Sequence, residues 1–180
     1  MNKESNHPSP HTPPKALLFV CLGNICRSPL AEGVFASLAT ARGACDRFIL
    51  DSCGTGAWHV GETPDRRSIE VARRHGVVLH HRARQLQPER DFETFDLLLA
   101  MDRSNLDHIL RAGCPPERAA LMRSYDPGLR GPGSESLEHG LDVPDPYSGG
   151  ADGFEHVYQM LHAACTGLLG TLLKVPGLRE

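Results

Sequence analysis

A cysteine and an arginine frame a short loop in Cys21-Leu-Gly-Asn-Ile-Cys-Arg-Ser-Pro29. Successive backbone N–H groups of a tight loop can converge on an anion, and a helix N-terminus adds roughly half a positive charge. The planar fork of Arg27 can grip two oxygens of a phosphate. A cysteine in that positive field would sit as thiolate near neutral pH, and a thiolate facing a bound phosphate is a nucleophile in attack position. The plain alternative is a small buried cysteine ahead of a glycine loop. Context favours chemistry. An apolar run, Ala16–Val20, leads into the loop, and Ser28 and Pro29 are helix start signals. Far downstream, Val143-Pro-Asp-Pro-Tyr-Ser-Gly-Gly150 carries an acid, Asp145, on a loop.

The elements that must position these groups alternate between strand and helix. Ala16–Val20 reads as a first strand. A helix from Pro29 to about Thr40 buries Leu30, Val34, Phe35 and Leu38 at helical spacing. Arg47–Ser52 reads as a second strand, leading into Gly54-Thr55-Gly56 and Trp58. Thr63-Pro64 opens a helix to about His75, with Gly76 as its stop, and Val77–Leu79 is a short extended piece. A polar linker carries Pro88. Phe95–Ala100 suits a strand buried on both faces, and Ser104-x-x-Asp107 looks like a capping box for a helix to about Ala112. Ala119–Met122 is a weak fourth strand, and residues 124–142, with four glycines and two prolines, form a long loop. The last helix, about Phe154–Lys174, carries the apolar stripe Phe154, Val157, Tyr158, Leu161, Cys165, Leu168 and Leu172. This order predicts an α/β fold with a parallel sheet, whose ligands bind beyond the carboxyl ends of the strands.

A length of 180 residues fits one domain, over 15–176, behind a polar, proline-rich tail at 1–14 read as disordered. A net charge of −3 offers nucleic acid no electrostatic footprint. No apolar run approaches a membrane span, and the polar N-terminus has no signal-peptide core. Six cysteines without a Cys-x2-Cys pair favour a reducing cytoplasm over a disulfide scaffold. Among ten histidines the one His-x3-His spacing, His7 and His11, falls in the proline-rich tail, where no helix sets it, so no metal is expected.

Taken together, these residues resemble the low-molecular-weight protein tyrosine phosphatases. The Cys21–Pro29 segment matches that family's phosphate-binding signature, and Asp145-Pro146-Tyr147 matches its general-acid loop. Ser52, Gly54-Thr55, Trp58, Pro64-Asp65, His81, Ala83-Arg84-Gln85, Met101-Asp102, Ser104-Asn105, Ser124-Tyr-Asp-Pro127 and Phe154-Glu155 follow in the family's order, so the likeness spans about residues 15–172. The resemblance implies a three-layer fold, with a four-stranded parallel sheet flanked by helices, and hydrolysis of protein phosphotyrosine through a cysteinyl-phosphate. It implies that Cys21 attacks phosphorus while Arg27 and the loop N–H groups of Leu22, Gly23, Asn24, Ile25, Cys26, Arg27 and Ser28 hold the phosphate oxygens. It implies that Asp145 protonates the phenolate and then activates water. Ser28 would stabilise the thiolate, Asn24 and His81 would hold the loop's strained shape, and Asp102 would support the site. Leu22, Trp58 and Tyr147 resemble wall residues for a phenyl ring, and Cys26 a redox partner for Cys21. No metal or cofactor is implied.

Each role has a plainer reading. Ser28 could be only a helix cap, His81 a surface histidine, Asp102 a cap for the next helix, and Trp58 and Tyr147 core residues. Ile25 is similar to the tyrosine-specific members, whereas the arginine-phosphatase branch typically has threonine there. Ser148 departs from a second aromatic common at that position. An arsenate reductase of the same fold would need further cysteines, and none lies between Gly76 and Leu110. A phosphate-binding module without activity would be expected to lack Cys21 or Asp145. The expectation is a monomeric, cytoplasmic enzyme whose partner is a phosphotyrosine protein, with tyrosine kinases among the candidates.

Overall fold

The apolar run ahead of the cysteine loop is the central strand of the sheet. In a computed structural model, which describes residues 14–129 and 140–174, it is β1 (Lys15–Cys21), with parallel partners on both sides. Side chains alternate across a strand. Leu17, Phe19 and Cys21 therefore enter one core, and Ala16, Leu18 and Val20 the other. Among the described residues the sheet runs β2-β1-β3-β4, with β2 at Phe48–Gly54, β3 at Leu97–Ala100 and β4 at Ala119–Leu121. Helices α1 (Arg27–Ala41), α2 (Arg66–Arg74) and α5 (Ala151–Leu173) pack on the first core. Helices α3 (Pro88–Thr94) and α4 (Arg103–Arg111) cover the second. The expected three-layer α/β fold with a four-stranded parallel sheet is present. No described helix is long and apolar enough to cross a membrane.

Because β1 has β2 on one side and β3 on the other, the chain reverses its direction of travel across the sheet at β1. That reversal opens a crevice beyond the carboxyl ends of β1 and β3. Cys21 ends β1 and Asp102 follows β3. Val143 N donates to Met101 O at 2.7 Å, fastening the segment that bears Asp145 beside the end of β3.

Several local expectations change. Helix α1 begins at Arg27, two residues before Pro29, so Ser28 lies inside its first turn with its hydroxyl turned back to Cys21. Helix α2 is capped by Asp65, whose carboxylate accepts from Arg67 N, and not by Thr63. Pro88 opens a short helix in place of a linker, because its fixed φ and missing N–H suit a first helical position. The cap of α4 is Asp102, accepting from Asn105 N at 2.7 Å, so Ser104 is already helical and forms no capping box with Asp107. The final helix starts at Ala151, three residues earlier than read, with no side-chain cap. The tail at 1–13 and the stretch 130–139 lie outside the described residues.

Candidate active site

Strand β1 delivers Cys21 almost fully buried, at 2% exposure, and the chain then turns through Leu22–Cys26 into α1. The turn is possible because Asn24 takes φ +55°, a left-handed conformation that asparagine tolerates better than most residues. Its side chain pins it there. Asn24 Nδ2 donates to Ser28 Oγ at 2.9 Å and to Ser52 Oγ at 3.0 Å. Asn24 Oδ1 accepts from Arg84 N at 2.8 Å and faces His81 Nε2 at 2.8 Å, so the imidazole donates through Nε2. His81 Nδ1 lies 3.2 Å from Glu32 Oε2. Glu32, Asp51 and His81 bring ligand-type atoms within 4.8 Å of one another. These groups already serve the loop: His81 engages Asn24, and Asp51 accepts from Arg84 Nε and Ser52 N.

From the other side, Thr55 N donates to Cys21 O and Gly56 N to Leu22 O, both at 2.9 Å. A Cβ at Gly54 would stand 2.8 Å from Leu22 O, so this close backbone approach requires glycine. Alanine at Asn24 would lose four hydrogen bonds and keep the strained φ. Asn24→Ala is therefore expected to lower unfolding free energy by on the order of 3 kcal/mol in urea titration. Turnover should fall with it, because the loop loses its shape.

The cysteine sulfur is set in a donor-rich position. Asn24 N donates to Cys21 Sγ at 3.2 Å, and Ser28 Oγ lies 3.0 Å from the same sulfur. The Arg27 guanidinium is buried and spans two carboxylates, with Nη1 2.5 Å from Asp102 Oδ2 and Nη2 3.1 Å from Asp145 Oδ2. Nη1 also donates to Val143 O at 3.0 Å. Burial works against the Arg27 charge, but Cys21, Asp145 and Asp102 outweigh it and hold its pKa above the ordinary value. Cys26 differs from Cys21. Burial, and then the charges of Asp65, Cys21 and Asp145, push its pKa up to about 12, so it stays a thiol at neutral pH.

Above the loop opens a cleft of about 370 Å³ lined by Cys21, Arg27, Asp145, Leu22, Trp58 and Tyr147, with His59 and Ser148 at its rim. Trp58 is 72% exposed and Tyr147 52%, so neither is a core residue. The Trp58 ring folds onto Gly56, where a Cβ would fall 1.8 Å from it. A buried cation, a cysteine sulfur and a carboxyl group on one apolar-walled cleft are the groups needed to bind a phosphoryl group and to divide its transfer into two displacements.

The family model for low molecular weight phosphotyrosine protein phosphatase matches residues 16–176. The chain belongs to this family. A low molecular weight protein-tyrosine-phosphatase of Streptomyces coelicolor is 47% identical over 158 residues, which is 86% of this chain and 91% of that one. The crystal structure of a protein tyrosine phosphatase from Entamoeba histolytica superposes with a TM-score of 0.78 at 34% identity, covering 88% of this chain and 96% of its own. A Drosophila arginine phosphatase has the same fold, with a TM-score of 0.77 at 31% identity and coverage of 88% and 98%.

In this phosphatase the residues singled out from sequence gather at one place. Cys21, Arg27 and Asp145 meet in the cleft, Asn24, Ser28 and His81 form the layer behind it, and Asp102 grips Arg27 from the side. Sequence reasoning assigned no role to Ser52, Arg84, Glu32, His59 or the carbonyl of Val143. Arg84 also ties Asp51 to the fully buried Asp91. A buried acid inside a charged stretch such as Glu89-Arg-Asp91 leaves no signal in spacing.

Proposed function

We propose that this phosphatase hydrolyses phosphotyrosine in proteins, with Cys21 as nucleophile and Asp145 as general acid and then base. The convergence of Cys21, Arg27 and Asp145 on one apolar-walled cleft carries this reading. Cys21 Sγ attacks phosphorus, the bond from phosphorus to the tyrosine oxygen breaks, and Asp145 gives its proton to the departing phenolate. The Asp145 carboxylate then takes a proton from water, which attacks phosphorus and releases the Cys21 thiolate, stabilised by Ser28 Oγ. Arg27 and the N–H groups from Leu22 to Ser28 carry the charge of the equatorial oxygens through both steps. That positive charge makes a metal unnecessary. Asp102 aims the Arg27 fork, while Asn24 and His81 keep the loop in its anion-binding shape.

Leu22, Trp58 and Tyr147 flank a slot suited to a phenyl ring, and Ile25 adds an apolar floor. Cys26 supplies protection. Peroxide oxidises the Cys21 thiolate to a sulfenic acid, the Cys26 thiol condenses with it, water leaves, and a cellular thiol later reduces the disulfide. The enzyme works in a reducing cytoplasm as a monomer, on phosphotyrosine proteins that include tyrosine kinases.

Three peptides of one sequence, bearing phosphotyrosine, phosphoserine or phosphoarginine, test the substrate class with EDTA present. Phosphate release is expected to be faster from phosphotyrosine by on the order of 10²-fold. Faster release from phosphoarginine would overturn the assignment.

A further inference from the structure

We infer that Arg66, at the N-terminal turn of α2, binds carboxylates of the protein substrate beside its phosphotyrosine; this rests on the phosphatase reading above. The chain is acidic overall, with a net charge of −3, yet α2 reads Arg-Arg-Ser-Ile-Glu-Val-Ala-Arg-Arg. Three of its four arginines are engaged. Arg67 closes on the Asp65 carboxylate at 2.9 and 3.1 Å, Arg73 on Glu70 at 3.0 Å, and Arg74 faces Glu155 at 3.5 Å. The Arg66 side chain is exposed and makes no ion pair or hydrogen bond among the described residues, and its charge reaches Asp65 and Glu70 only through space. The acids beside it, Asp65 and Glu70, are already taken by Arg67 and Arg73. Its charge is therefore available to a partner of opposite sign.

The position of that charge points to the substrate. Arg66, Arg67, Glu70, Arg74 and Phe154 line a second cleft, of about 330 Å³. Tyr147 lines the first cleft and Arg67 the second, and the contact between these two side chains is where the clefts adjoin. The Arg67 guanidinium lies 5.6 Å from the Tyr147 ring centroid and 4.5 Å from that of Phe154, and it donates to Gly149 O at 3.3 Å. Arg67, held by Asp65, Gly149 O and the two rings, thus forms the wall, while Arg66 is the exposed cation beyond it. A peptide seated by its phosphotyrosine against Tyr147 has one to three flanking residues, roughly 3–10 Å of extended chain, with which to reach across that wall. Acidic side chains there meet Arg66, neutral ones gain nothing, and basic ones are repelled. An exposed ion pair is weak, so the contribution is a preference, on the order of two- to fivefold in kcat/KM per carboxylate.

The test compares two phosphotyrosine peptides, one with three glutamates on each side and one with glutamines in their place. At low ionic strength the ratio of kcat/KM, glutamate peptide over glutamine peptide, is expected to lie well above one. It should shrink toward one in 1 M salt, where the screening length falls to about 3 Å. Arg66→Glu should drive the ratio below one, and Arg66→Lys should keep it above one. A ratio that Arg66→Glu leaves unchanged, even with both rates lowered alike, would overturn the inference, as would a ratio of one in the unsubstituted enzyme. Turnover of the glutamine peptide by that enzyme reports separately on the phosphatase reading. If neither peptide were hydrolysed, that reading would fail and take the subsite with it.

Discussion

Replacing Cys21 by serine is expected to cut phosphate release from a phosphotyrosine peptide by about 10⁴-fold or more while leaving the peptide bound. The two outcomes separate because different groups carry them. In the proposed mechanism binding rests on Arg27, the loop amides and the apolar walls, all of which the substitution leaves in place. In that mechanism chemistry rests on the sulfur, which accepts from Asn24 N and lies 3.0 Å from Ser28 Oγ. A serine hydroxyl in that place would have to lose its proton first, and a hydroxyl holds its proton far more tightly than a thiol. Single-turnover release and a binding titration of Cys21→Ser check both halves. Residual turnover above about one per cent would mean that another group attacks phosphorus.

Asp145→Ala is expected to slow hydrolysis of the same peptide by about 10²–10⁴-fold, the range for loss of a positioned general acid. The loss should be smaller for an aryl phosphate whose phenol is more acidic, since that leaving group departs without a proton. Affinity should move the opposite way. In the free enzyme Asp145 Oδ2 occupies Arg27 Nη2 at 3.1 Å, and its charge opposes an incoming phosphate. Removing it frees the guanidinium, so inorganic phosphate should inhibit Asp145→Ala at lower concentration than it inhibits the unsubstituted enzyme. Equal losses on both leaving groups would assign Asp145 to positioning and not to proton transfer.

The Cys21–Ser28 loop was legible in sequence because its groups are local. Cys21, Arg27 and Ser28 lie within eight residues, and the strand before and helix after them follow from simple patterning. Asp145 was legible only beside them, as an acid in a turn sequence far along the chain. The brace behind the loop was less visible, since Glu32, Ser52 and the pair His81 and Arg84 come from three separate segments and meet only through Asn24 and one another. Helix ends misled for a different reason. Asp102 and Ser104 are both good caps, and the choice fell to Asp102, which sits just past the end of β3. Pro88 was misread because proline both ends and begins helices, and Glu89 and Asp91 in the following turn favour a beginning. The redundancy of arginines on α2 hid Arg66: only the pairing of its three neighbours distinguishes it.

Rapid quenching of Asp145→Ala with a phosphotyrosine peptide, followed by mass mapping of the phosphate, tests the covalent route most directly. This variant can still form the intermediate with an activated aryl phosphate but hydrolyses it slowly, so that substrate serves as the second arm. A phosphate on Cys21, absent in the Cys21→Ser, Asp145→Ala double variant and formed no more slowly than phenol is released, is the expected result. Steady phosphate release with no adduct on Cys21, or an adduct on any other residue, would contradict nucleophilic catalysis by this cysteine.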